Sequence, residues 1–117
     1  MIFTESLSST QNFKKVYKYG KSKANRLLIM YIRPNDMEKN RLGISVSKKV
    51  GNSVVRHRVT RLIRESYRLH EEMLSNGLDI AVIARENARD ATYYEVESAL
   101  LHLADLHHMR LKKKESN

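Results

Sequence analysis

The sequence predicts an α/β (α+β) two-layer sandwich, helices on a small mixed sheet, in the order αββαβα. Three observations predict it. Residues 27–32, 41–47 and 78–84 are short and rich in aliphatic residues, as strands are. Three other segments carry apolar residues at helical spacing. Strands interleaved with helices bury their apolar faces by layering helix on sheet. The 117 residues suit one domain, with an ordered core expected at about residues 8–109 and frayed ends.

Each element has its own signals. Ser9 or Thr10 can cap a first helix, with Phe13, Val16 and Tyr17 sharing a face and Gly20 as its stop. Residues 27–32 (LLIMYI) form a strand ended by Pro34 and Asn35-Asp36. Residues 41–47 (RLGISVS) alternate, with Leu42, Ile44 and Val46 toward a core and Arg41, Gly43, Ser45 and Ser47 facing away. These two strands are expected to pair as a hairpin. The turn 48–52 leads, through Asn52 or Ser53 as N-cap, into a helix from about Ser53 to Leu74. Its apolar stripe reads Val55, Val59, Leu62, Leu69 and Met73, and Asn76-Gly77 ends it. Residues 78–84 (LDIAVIA) read as a buried strand. Thr92 and Glu95 make a capping-box signature for a last helix with Val96, Leu100, Leu103 and Leu106 inward. A basic, frayed tail is expected at 110–117. By the general rule a strand–helix–strand crossover here is right-handed.

Composition narrows the function. The 22 Lys and Arg against 13 Asp and Glu give a net charge of +9, which favours a polyanionic partner, nucleic acid before an anionic membrane surface. Without Cys there are no disulfides and no Cys-based zinc sites. The N-terminal 15 residues lack a signal-peptide apolar region and no run is long enough to span a membrane, so a cytoplasmic location is expected.

The charge is concentrated in residues 48–68, which hold seven Lys or Arg and one acid, Glu65. At ~100° per residue, His57, Thr60, Arg61, Arg64 and Arg68 fall on one side of the helix, opposite the apolar stripe, with Arg56 and Arg58 at the borders. Clustered like charges gain the helix nothing, and a solvated face normally interleaves acids with bases. Arginine forks suit phosphate oxygens, and the helix N-terminus beside Lys48 and Lys49 adds free N–H donors. A membrane-surface helix is the weaker alternative because the apolar stripe lacks Trp and Phe. A DNA-reading helix is also disfavoured, since a strand precedes this one rather than a short helix.

The stretch 41–65, RLGISVSKKVGNSVVRHRVTRLIRE, resembles the signature of the bacterial ribonuclease P protein family, a basic motif after a Ser-Lys-Lys-hydrophobic-Gly-Asn turn. Asn12-Phe13 through Tyr17, Ala24-Asn25-Arg26 and Asp79 through Arg85 match its surrounding pattern, so the resemblance covers about residues 13–106. It implies an α/β sandwich with a left-handed strand–helix–strand crossover, against the general rule. It implies a protein subunit that binds the catalytic RNA and the 5′ leader of precursor tRNA during Mg²⁺-dependent removal of the leader. The catalytic RNA is then met by Lys48, Lys49, Asn52, Arg56, His57, Arg58, Arg61, Arg64 and Arg68. The leader is met in a cleft by Phe13, Tyr17, Tyr31, Ser45 and Ser47. His57 stands where the motif has Asn, and Thr60 where Lys is common. From the residues alone, Phe13 and Tyr17 read first as core residues joining helix to sheet, and the cleft role is what the resemblance implies.

No protein active site is expected. His102, Asp105, His107 and His108 cluster in sequence but fit a solvated face better than a metal site, and no phosphate loop, metalloprotease motif or nucleophile elbow is present. A nuclease needs a metal-binding carboxylate set or an acid–base pair. The expected chemistry therefore belongs to the RNA, with its own Mg²⁺ and none held by the protein. A structured-RNA binder of the ribosomal kind and a stand-alone nuclease are the competing readings.

Overall fold

A computed structural model of the chain describes residues 1 and 3–111. Its elements are β1 (Thr4–Ser6), α1 (Thr10–Tyr19), β2 (Lys21–Ala24), β3 (Leu28–Pro34), β4 (Asn40–Ser45), α2 (Ser53–His70), β5 (Leu78–Ala84) and α3 (Tyr93–Leu106), with short 3₁₀ turns at Glu71–Met73 and Glu86–Ala88. The caps follow the side chains. Ser9 accepts the Asn12 N–H, Asn52 accepts the Val55 N–H, and Thr92 and Glu95 close a reciprocal capping box.

The five strands form one mixed sheet in the order β1-β4-β5-β3-β2. β4 runs parallel to β1 and β5, and β3 runs antiparallel to β5 and β2. The expected hairpin is therefore wrong, because β5 lies between β3 and β4. The reason is burial: β5 is covered on both faces nearly throughout, so it takes the centre. β1 and β2 are edge strands of three and four mostly exposed polar residues, which carry no apolar alternation to read.

Direct cross-strand partners share a face. On one face, Leu42 and Ile44, Met30 and Ile32, and Ile80 and Val82 meet α2 and α3 in the main core. Sheet and helices give the two layers expected. The other face carries three rows, Glu5–Arg41–Asp79–Arg33, Gly43–Ala81–Tyr31–Ser22 and Ser45–Ile83–Ile29–Ala24. α1 lies on this face, where Val16 is fully buried with Leu7 and Ala81. Burying one Val is worth about 1.5–3 kcal/mol.

Three burial expectations change. The inward face of α2 is Val59, Ile63, Ser66 and Tyr67, while Leu69 and Met73 are exposed. Tyr67 turns the helix, since its hydroxyl contacts Thr4 Oγ1 at 2.9 Å and receives Asn40 Nδ2 at 3.1 Å. Burial raises the Tyr67 pKa above the ordinary value, opposed by those two hydrogen bonds. Leu106 is exposed, and Met109 takes the core instead, after a turn through His108 at φ 57°. The ordered core starts before residue 8, with β1 paired and Leu7 buried. Of the expected tail, residues 112–117 lie outside the described residues, but Arg110 bridges to Leu74 and the Leu111 N–H donates to the Met73 carbonyl at 2.8 Å. Gly77 has φ 81°, the left-handed conformation that makes Asn76-Gly77 a turn.

Candidate nucleic-acid interface

The cations of residues 48–68 do not share one situation. Lys48, Lys49, His57, Arg61 and Arg64 are exposed, and no acid pairs with them among the described ion pairs. Arg58 donates to the carbonyls of Arg89 at 2.9 Å and Ala91 at 2.6 Å, so its fork clamps α2 to the loop before α3. Arg68 is exposed but paired with Glu65 one turn earlier, and that contact lowers the Glu65 pKa and raises that of Arg68. Arg56 is half-buried, its Nε buried without a hydrogen-bond acceptor. Thr60 folds back onto its own helix, donating to the Arg56 carbonyl at 2.8 Å. Asn52 is exposed and spends its side-chain oxygen on the helix cap. The free cationic front is thus narrower than the helical projection suggests and centres on Lys48, Lys49, Arg61 and Arg64, with His57 exposed beside them.

The second predicted group comes together on the opposite sheet face. The Tyr17 and Tyr31 rings meet edge to face with centroids 5.0 Å apart, and Phe13 lies 6.0 Å from Tyr17. The residues alone favour a core role for Phe13 and Tyr17 and the resemblance a cleft, and their burial in the structure is divided. Val16 is the buried anchor, Phe13 and Tyr31 are half-buried, and Tyr17 is 39% exposed. Burial followed by the neighbouring Tyr31 raises the Tyr17 pKa, so its hydroxyl stays neutral at physiological pH. Gly43 leaves no open space on this face. A Cβ built there would lie 2.2 Å from Phe13 Cζ, so the ring occupies that room. Ser45 is half-buried, and Ser47 is exposed and lines a hollow. The floor beside them is Ile29 and Ile83, which the sequence reading passed over although their alternation with Tyr31 and Ala81 marks them.

The two surfaces touch. A hollow of ≈ 520 Å³ joins the floor residues Ile29 and Ile83 to Ser47, Lys49 and Arg85. A second, of ≈ 340 Å³, places Arg64 beside Phe13 and Gly43 where β1 ends along β4. The histidine-rich end of α3 disperses instead. His102 Nδ1 lies 3.2 Å from Asn25 Nδ2, Asp105 pairs with Arg110, and His107 Nε2 meets the Met30 carbonyl at 2.9 Å. Asn25 itself organises the turn between β2 and β3, accepting from the N–H groups of Leu27 and Leu28 and donating to the Ala99 carbonyl at 2.9 Å. No group of three His, Asp or Glu that could hold a metal ion occurs among the described residues.

A protein-family model described as Ribonuclease P matches residues 1–107. The chain belongs to the ribonuclease P protein family. The ribonuclease P protein component of Lachnoclostridium phytofermentans is 59% identical over 104 residues, covering 89% of this chain and 90% of that protein. That of Alkaliphilus metalliredigens is 58% identical over 97 residues, covering 83% and 87%. Among solved structures, the Staphylococcus aureus RNase P protein superposes with a TM-score of 0.84 at 35% identity, covering 93% of this chain and 98% of that one. The Thermotoga maritima RNase P protein gives 0.81 at 31% identity, covering 87% and 96%. The fold of three helices and a five-stranded mixed sheet is thus the ribonuclease P protein fold. The chain is a subunit of an endoribonuclease ribonucleoprotein of tRNA processing.

Proposed function

We propose that the exposed cations of the turn before α2 and of its outer face hold the catalytic RNA, and that the cleft between α1 and the sheet receives the single-stranded 5′ leader of precursor tRNA. The observation that carries this reading is the partly open Tyr17–Tyr31 pair on a sheet face flanked by two hollows, one lined by Phe13 and Arg64 and the other by Ile29, Ile83 and Lys49. Bases stack on aromatic faces for about 1–3 kcal/mol each, without regard to sequence. Cations at the cleft borders offset phosphate repulsion between leader and catalytic RNA. Mg²⁺-dependent scission belongs to the RNA. Four of the carboxylates are engaged elsewhere, Asp79 with Arg41 at 2.7 Å, Glu65 with Arg68, Asp105 with Arg110 and Glu95 in the α3 cap, and we assign none of these to the metal. The protein acts in the cytoplasm, on precursor tRNA.

The test is binding of leader-bearing precursor and of mature tRNA to the reconstituted holoenzyme. Tyr17→Ala and Tyr31→Ala each weaken precursor binding about 5-fold or more, the lower bound for one lost stack, and leave mature tRNA unchanged. Equal losses on both ligands would refute the cleft assignment.

A further inference from the structure

Past Tyr31, the cleft row ends at Ser22 on β2, the sheet's edge strand, whose four residues are all exposed. β2 pairs Lys21 with Ile32 and Lys23 with Met30, which sets both lysines on the opposite face from Ser22, toward α3. There a hollow of ≈ 440 Å³ is bounded by Tyr19, Lys21, Lys23, Leu106, His107 and His108, over a floor of Ile32, Pro34 and Leu78. Its lining holds no acid. Tyr19 stands at its rim, 63% exposed, with Lys18 Nζ 5.3 Å and Arg33 Cζ 5.4 Å from its ring centroid.

Lysines on an edge strand have a plain use, which is to block pairing with a second sheet. That use requires neither the exposed aromatic ring nor the apolar hollow between the strand and the end of α3. An open ring flanked by cations, beside a floor of aliphatic side chains, is the pairing of stacking platform and phosphate partners that single-stranded RNA uses.

We infer that this groove around the β2 edge is a second single-strand site, which takes the part of the leader lying beyond the cleft. The inference rests on the cleft reading above. Direction follows from the layout. The scissile bond must lie with the catalytic RNA, on the α2 side of the cleft, near Lys49 and Arg64. Nucleotides farther from that bond therefore leave over the opposite border, β2. Tyr19 stacks a base, and Lys21 and Lys23 meet the flanking phosphates.

The experiment measures holoenzyme affinity for precursor tRNAs with a short leader confined to the cleft and with a longer one that reaches β2. In the wild type the long leader binds more tightly. Tyr19→Ala lowers long-leader affinity about 5-fold or more and leaves the short leader unchanged. Lys21→Ala with Lys23→Ala reduces the long-leader salt slope by about 1.4, since each single-strand phosphate contact contributes ~0.7. Unchanged long-leader binding in both variants, with or without new self-association, reduces β2 to an edge guard and overturns the inference. Equal losses on both leaders place these residues on the catalytic RNA or the tRNA body and also overturn it. Tyr17→Ala is the control: if it fails to distinguish precursor from mature tRNA, the cleft reading fails instead.

Discussion

At the scale of single residues, Gly43 decides whether the cleft exists. The tip of the Phe13 ring reaches the sheet at position 43 only because that position lacks a side chain. Gly43→Ala pushes the ring outward toward Tyr17. The expected cost is about 1–2 kcal/mol, in the lower part of the overpacking range because the ring is half-exposed and can swing. Leader preference is lost along with it. Urea unfolding and precursor binding check the two effects separately, and a variant that keeps both would show that Phe13 does not define the cleft. His107 makes a pH prediction. Burial lowers its pKa, the hydrogen bond to the Met30 carbonyl opposes this, and Lys23, His108 and Lys21 add to the lowering. With the folded value depressed, the unfolded chain takes up the proton first as pH falls. The contribution to stability is intact above the unfolded histidine value of ~6.5 and is lost below it. His107→Gln should flatten the stability profile between about pH 5 and 7 relative to wild type, and parallel profiles would contradict this.

At the scale of elements, α2 combines two jobs that the sequence shows as one. Arg58 and Arg61 look alike as basic residues, yet Arg58 clamps a loop through two carbonyls and Arg61 stands free. Arg58→Ala is expected to destabilise the fold by about 1–2 kcal/mol. Arg61→Ala should stay within about 0.5 kcal/mol of wild type. Arg61→Glu with Arg64→Glu should instead weaken catalytic-RNA binding and reduce its salt slope by about 0.9 per lost phosphate. Thermal melts beside salt-titrated RNA binding separate these outcomes, and a structural loss at Arg61 would reverse the assignment. The same element shows where legibility stops. Its N-cap at Asn52 and its cationic side were readable because capping and helical period are local properties. Its inward face was readable only in part: Val55, Val59 and Leu62 pack on the core as expected, but Tyr67 is drawn in by Thr4 and Asn40, distant in sequence. Likewise β3 and β4 were readable as strands, but their separation by β5 depends on which strand is buried on both faces. The polar edges β1 and β2 carry no pattern that a single sequence reveals.

At the scale of the whole molecule, the sheet is a partition. One face holds the main core with α2 and α3, and the other holds α1 and the aromatic residues, with Arg64 of α2 and Lys49 of the turn before it lining hollows beside them. The family motif was legible because its residues form one continuous stretch. The junction of the two surfaces was not, because Arg64 and Phe13 meet only around the edge of β4. In the proposed function, this arrangement lets the protein bridge two RNAs, with the chemistry left to one of them. The most direct measurement is 5′ cleavage of a precursor tRNA by a bacterial ribonuclease P RNA at low Mg²⁺, with this protein, without it, and with the protein alone. The account predicts cleavage at the mature 5′ end only when RNA and protein are both present. Cleavage by the protein alone, or RNA binding that leaves cleavage unchanged, would contradict it.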